Sequence, residues 1–159
     1  PYMATYYLNK INTMKKLRIG MPFPYLTAKD TLDKIINVCQ IKSNAKMIVF
    51  YSSDCEHCLE ALPGLKLIAD DYRDDGLESF GVALDDNKEK WQHILKLYKL
   101  NWNAISDMKG MLSPFMSDYN IWSTPRVYIL DKDNIIRAVP NGDTEIHAAL
   151  LQVLHIQDK

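Results

Sequence analysis

Cys55 and Cys58, three positions apart, are the residues of this 159-residue chain best placed to do chemistry. The thiolate is both a nucleophile and a metal ligand, so a C-x-x-C pair has two readings. In one, the first sulfur attacks a disulfide and the second closes the ring. In the other, the pair is half of a metal site. Structural zinc takes four Cys or His ligands, and the chain has neither a second C-x-x-C nor an H-x3-5-H. Cys39 stands alone, and His93, His147 and His155 are scattered. No metal is therefore expected, and disulfide exchange, which needs no cofactor beyond the sulfurs, is the chemistry the spacing favours. Cys39 is read as a small buried hydrophobe.

The flanking residues supply what such a pair needs. Met47 to Tyr51 is a continuous apolar run of the kind found in buried parallel strands. Ser52-Ser53-Asp54 then offers helix-capping side chains, which puts Cys55 at the start of a helix running to about Tyr72, kinked at Pro63 and ended by Asp74-Asp75-Gly76. Free N–H groups and the positive end of the helix dipole lower a thiol pKa that is ~8.5 when unperturbed. Cys58 lies one turn deeper on the same face. The roles follow: Cys55 attacks and Cys58 resolves. Between them, Glu56 opposes a thiolate, whereas the imidazole of His57 is expected to favour it.

The rest of the chain alternates strands and helices. Ser79 to Leu84 reads as a strand, followed by a helix over Lys88 to Leu100 that Asp85-Asp86-Asn87 can cap; the acid pair is read as a cap in preference to a calcium site. Trp102 to Ile105 is a short strand, with Trp91 and Trp102 as core or rim aromatics. Met111 to Tyr119 is a short helix with Pro114 in its first turn, Val127–Leu130 and Ile135–Val139 form a hairpin, and Glu145 to Ile156 is a helix. Upstream, Tyr6 to Leu17 is a short helix or docking arm, and the two prolines of Ile19–Pro24 enforce extended backbone. Thr31 to Ile41 fits helical spacing at Leu32, Ile35, Ile36 and Cys39, with a strand as the competing reading. The layout is α/β: a central mixed sheet flanked by helices, with residues 1–17 as an arm or linker and 18–159 as the domain.

Composition removes other classes. The chain is 47% hydrophobic and 25% charged with a net charge of −1, so it has no basic field for nucleic acid. No apolar run approaches the ~18 residues that span a bilayer. The opening Pro1-Tyr2-Met3 has no secretory signal pattern, and the expectation is a mature or excised form whose address lay further upstream.

With these residues in view, the chain from about Leu17 to Ile156 resembles the thioredoxin superfamily, and within it the TlpA/ResA-like thiol–disulfide oxidoreductases. The likeness rests on Ile48-Val49-Phe50-Tyr51 running into Cys55-Glu56-His57-Cys58, on Pro63, and on Ser123-Thr124-Pro125-Arg126-Val127-Tyr128-Ile129-Leu130-Asp131. It implies a thioredoxin-like fold with an extra α/β insertion between the C-x-x-C helix and the strand after Pro125. It also implies a cis Thr124–Pro125 bond facing the cysteines, with Thr124 and Pro125 binding substrate and Trp122 lining the groove. Three positions depart from the pattern. Asp54 stands where tryptophan is common, Val49 where thioredoxins proper have a buried aspartate, and Ala61 where many ResA-like members have an acid. Glu60, one position off, Glu56 and water are the candidates for taking the Cys58 proton.

The activity implied is disulfide exchange with protein substrates, as a reductant in the periplasm or at the outer cell surface, fed by a membrane electron donor and with a lipid anchor upstream. The rivals are a silent thioredoxin-like binding module of a larger cell-envelope protein and a thiol peroxidase. Peroxiredoxins place Pro-x-x-x-Thr-x-x-Cys around their reactive cysteine; here Ile48 and Ser52 occupy the Pro and Thr positions.

Overall fold

The computed structural model describes residues 2–157. Pro1 of the expected arm and Asp158 and Lys159 of the expected domain lie outside the described residues. Helix α1 (Tyr2–Lys16) opens the chain with no buried residue, four residues earlier than the sequence suggested. A seven-stranded sheet follows, with β1 (Thr27–Asp30), β2 (Ile35–Asn37), β3 (Ala45–Tyr51), β4 (Leu77–Ala83), β5 (Asn103–Ser106), β6 (Arg126–Asp131) and β7 (Ile136–Ala138) in the order β2-β1-β5-β4-β3-β6-β7. Strands β3, β4 and β5 run parallel, and β1, β2, β6 and β7 join as antiparallel pairs. The remaining helices are α2 (Glu56–Asp71), α3 (Lys88–Leu97), α4 (Phe115–Asp118) and α5 (Asp143–Val153).

The all-apolar character of β3 follows from its place at the centre of the sheet, buried on both faces. Side chains alternate across a strand. Met47, Val49 and Tyr51 therefore join a core with Leu62, Leu65 and Ile68 of α2, Trp91 of α3, and Ile146 and Leu150 of α5. Ile48 and Phe50 face a second core built from Leu17, Phe23, Leu26, Phe115, Tyr119 and Tyr128. This second core is closed by an irregular segment and the short α4, and its rings interlock, with Phe50 and Tyr119 centroids 5.1 Å apart.

Three local expectations are corrected. The Thr31–Ile41 stretch is the turn of the β1–β2 hairpin, then β2, then a 3-10 turn over Val38–Gln40. The Asp30 carboxylate accepts from the N–H groups of Leu32 and Lys34, and Asp33 takes a left-handed φ of 64°, so side-chain bonding to the backbone overrides the helix-like spacing. Leu32, expected on an apolar face, is exposed. The Met111–Tyr119 helix is divided into a 3-10 turn (Gly110–Leu112) and α4, because the Ser113 hydroxyl takes the Phe115 N–H and Pro114 interrupts the ladder. Finally, the cap of α3 is Asn87, whose side chain accepts from Lys90 N–H; Asp85 and Asp86 do not cap it.

Candidate active site

The site forms at the carboxyl end of β3. Ser52 begins a tight turn in which its carbonyl accepts from Cys55 N–H at 3.2 Å and its hydroxyl accepts from Asp54 N–H at 3.2 Å. The turn delivers Cys55 as the N-cap of α2, and its Sγ accepts the Cys58 N–H at 3.3 Å. A cysteine thus stands where Ser or Asp is usual, and its sulfur takes one of the free donors of the helix end. The second wall comes from the chain before β6. The Thr124–Pro125 bond is cis, and the Thr124 hydroxyl donates to Cys55 Sγ at 3.3 Å, with the Thr124 carbonyl 3.8 Å from the same sulfur. This loop is fixed from below, because the Tyr128 hydroxyl donates to Tyr119 O at 2.7 Å and the Tyr119 hydroxyl to Tyr25 O at 2.9 Å.

The two sulfurs, neither of them in a disulfide, have unequal surroundings. Burial works against the Cys55 thiolate. Hydrogen bonds from the Cys58 thiol, the Thr124 hydroxyl and the Cys58 and His57 N–H groups outweigh it and hold the pKa below the usual thiol range. Cys58 is fully buried, and burial, reinforced by its hydrogen bond to Cys55, pushes its thiol up to about 11. Cys55 is partly exposed.

Other expected site residues are placed differently. The His57 imidazole points to solvent, 82% exposed and 3.8 Å from the Glu60 carboxylate, so it is the His57 backbone N–H that reaches Cys55. Glu60 is 69% exposed and two residues beyond Cys58, pointing to the opposite side of the helix, so the structure does not bring it to the buried thiol. Glu56 is exposed, and Asp54 pairs with Lys90 of α3. Trp122 sits exposed with Lys10 of α1 over its ring, 3.8 Å from the centroid. The groove of about 530 Å³ beside Thr124 and Pro125 is lined instead by His57, Glu60, Asn141 and Gly142. Cys39 is half-buried, Cys39 O accepting from Asn134. Among the described residues, no group of three His, Cys, Asp or Glu is gathered as a metal site, and no helix is long and apolar enough to cross a membrane.

The sequence reading missed Asp85. It is buried, and its carboxylate takes both the N–H and the hydroxyl of Ser53, two residues before Cys55. An acidic residue directly after an apolar strand, beside the strand that carries the cysteines, was the available signal, since parallel strands gather functional groups at their carboxyl ends.

The thiolate donors suggest a direct comparison of two variants. Thr124→Val, which removes one donor, raises the Cys55 pKa and slows its alkylation at pH 7 by roughly threefold to tenfold, the range for one ordinary hydrogen bond, since a long bond to sulfur falls short of one to a carboxylate. His57→Ala, which leaves the backbone N–H in place, changes that rate by less than about twofold. Stopped alkylation with peptide mass spectrometry measures both; a larger effect from His57→Ala would return the imidazole to the thiolate's surroundings.

A mixed sheet with a C-x-x-C at the start of the helix after its central strand, opposite a cis-proline loop, defines a thioredoxin-like protein. The chain belongs to the AhpC/TSA family, whose model matches residues 19–139. It is 22% identical over 125 residues to the thioredoxin-like protein YneN of Bacillus subtilis, covering 77% of this chain and 71% of that one. It is 20% identical over 123 residues to the thiol-disulfide oxidoreductase ResA of the same organism, covering 77% and 67%. Among solved structures it is similar to the thioredoxin domain of a thiol-disulfide oxidoreductase from Bacteroides vulgatus, with a TM-score of 0.79 at 20% identity over 87% of this chain and 99% of that one.

Proposed function

We propose that this protein is a TlpA/ResA-like thiol–disulfide oxidoreductase that reduces disulfides in protein substrates outside the cytoplasm, in the periplasm or at the outer cell surface, and is recharged by a membrane-borne dithiol donor. The observation that carries the reading is the inequality of the two sulfurs: one partly exposed, hydrogen-bonded and lowered, the other buried and raised. The Cys55 thiolate attacks one sulfur of a substrate disulfide; a mixed disulfide forms, and the first substrate sulfur leaves and takes a proton. Cys58 then loses its proton and attacks Cys55 Sγ, releasing the second substrate thiol. The substrate gains two electrons and two protons, and the protein ends with a Cys55–Cys58 disulfide.

The direction has its own support. Glu56 places a carboxylate on the first turn between the cysteines, and the raised Cys58 thiol disfavours a second negative charge. A dithiol that is not strongly stabilised donates electrons more readily. Thr124, Pro125 and the groove beside them accept the substrate segment, with the Glu56 carboxylate and the His57 backbone N–H tuning the couple.

Insulin reduction with dithiothreitol tests the activity. Wild-type protein accelerates precipitation, Cys55→Ser abolishes the effect, and Cys58→Ser accumulates mixed disulfides. The potential of the couple should fall below about −200 mV, on the reducing side of the known range. Turnover that survives Cys55→Ser would sink the mechanism, and a potential near −120 mV, that of a strong oxidant, would reverse the direction.

A further inference from the structure

Asp85 is the only buried carboxylate among the described residues, 4% exposed. A buried carboxylate is costly unless its oxygens are hydrogen-bonded. Here one oxygen accepts the Ser53 N–H at 2.8 Å and lies 3.4 Å from the Ser52 hydroxyl, and the other accepts the Ser53 hydroxyl at 2.6 Å. Every one of these partners belongs to the pair of residues that leads from β3 into the cysteine turn. Asp85 itself follows β4, the parallel neighbour of β3, and its own carbonyl is held by the Gly110 N–H at 3.1 Å. The grip therefore runs from one anchored strand end to the next.

We propose that Asp85 is a positioning residue of the redox site: its two-point hold on Ser53 fixes the Ser52–Cys55 turn and so presents Cys55 Sγ to the Cys58 N–H and the Thr124 hydroxyl. A single bond would leave the Ser53 peptide free to pivot; bonds to both its N–H and its hydroxyl stop rotation as well as displacement. Ser52 carries the constraint onward through its carbonyl to Cys55 N–H and its hydroxyl to Asp54 N–H. The carboxylate's charge has the wrong sign to favour a nearby thiolate, so its service is geometric. This rests on the reading of Cys55 as the attacking sulfur.

Geometry and charge separate in three variants. Asp85→Ala releases the turn and slows Cys55 alkylation at pH 7 at least threefold. Asp85→Asn is expected to restore the rate to within twofold of wild type or above it, because the amide can accept from the Ser53 N–H and donate to its hydroxyl. Ser53→Ala, which keeps only the backbone bond, slows it about twofold. Circular dichroism checks that each variant is folded. A folded Asp85→Ala that alkylates at the wild-type rate would overturn the proposal, as would Asp85→Asn slowed as far as Asp85→Ala. If Asp85→Ala does not fold, the other two decide: wild-type alkylation in Ser53→Ala, or a threefold loss in Asp85→Asn, overturns it. Alkylation requires no turnover, so absence of insulin reduction by the wild-type protein would remove the functional reading without touching this one.

Discussion

Iodoacetamide added to the reduced protein at pH 8 is expected to modify Cys55 on the order of 100 times faster than Cys58. With its thiol pushed up to about 11, Cys58 is only ~0.1% thiolate at that pH, whereas Cys55, held below the usual thiol range, is substantially ionised. The more basic thiolate is intrinsically the better nucleophile and recovers roughly a factor of ten. Access takes back at least as much, because Cys58 has no exposed surface. Raising the pH towards 11 ionises Cys58 and narrows the ratio, while lowering it widens the ratio until Cys55 itself protonates. Digestion and mass spectrometry at short times give both rates; equal rates in the folded protein would cancel the division of roles between the two sulfurs.

The second large effect is expected from a residue that does no chemistry. Gly81 lies in β4 opposite Val49, and a Cβ built there would stand 2.3 Å from the Cε2 and Nε1 atoms of Trp102. The indole packs against the glycine and is 8% exposed, beside the ring of Tyr51 with centroids 5.7 Å apart. Gly81→Ala forces that ring to move inside a full core, so destabilisation of about 2 kcal/mol is expected. For a domain of this size that lowers Tm by roughly 4–8 °C. Thermal unfolding followed by circular dichroism measures it, and an unchanged Tm would show that the ring can shift without cost.

What could be read in advance was local. The run of β3, the capping serines and the cysteine spacing follow one another in the chain, so the strand–cysteine–helix unit was legible residue by residue, as was the β6–β7 hairpin about its Asp131–Asn134 turn. The Thr31–Ile41 stretch was misread because Leu32, Ile35, Ile36 and Cys39 imitate a helical period, while the deciding groups were the Asp30 carboxylate and the left-handed Asp33. The sequence draws attention to the His57 side chain, yet its contribution to Cys55 comes from its N–H, which every residue type but proline supplies at that position. In the sequence Asp85 reads as a cap of the helix after it, because its partner, Ser53, is 32 positions away. Spacing cannot report a bond between strand ends.

The long reach of the Cys55–Thr124 contact has a consequence for the protein during its synthesis. The hydroxyl that completes the sulfur's surroundings lies 69 positions after it in the chain. Cys55 and Cys58 precede Thr124 in the chain, on whichever side of the membrane it emerges to fold, and domains fold as units. Until Thr124 and the β6 strand that seats it have been made, the nascent chain carries two ordinary thiols of pKa ~8.5, neither primed nor shielded. A chain stalled before that point holds both cysteines and no active site, and chemical competence arrives with the last strands of the sheet.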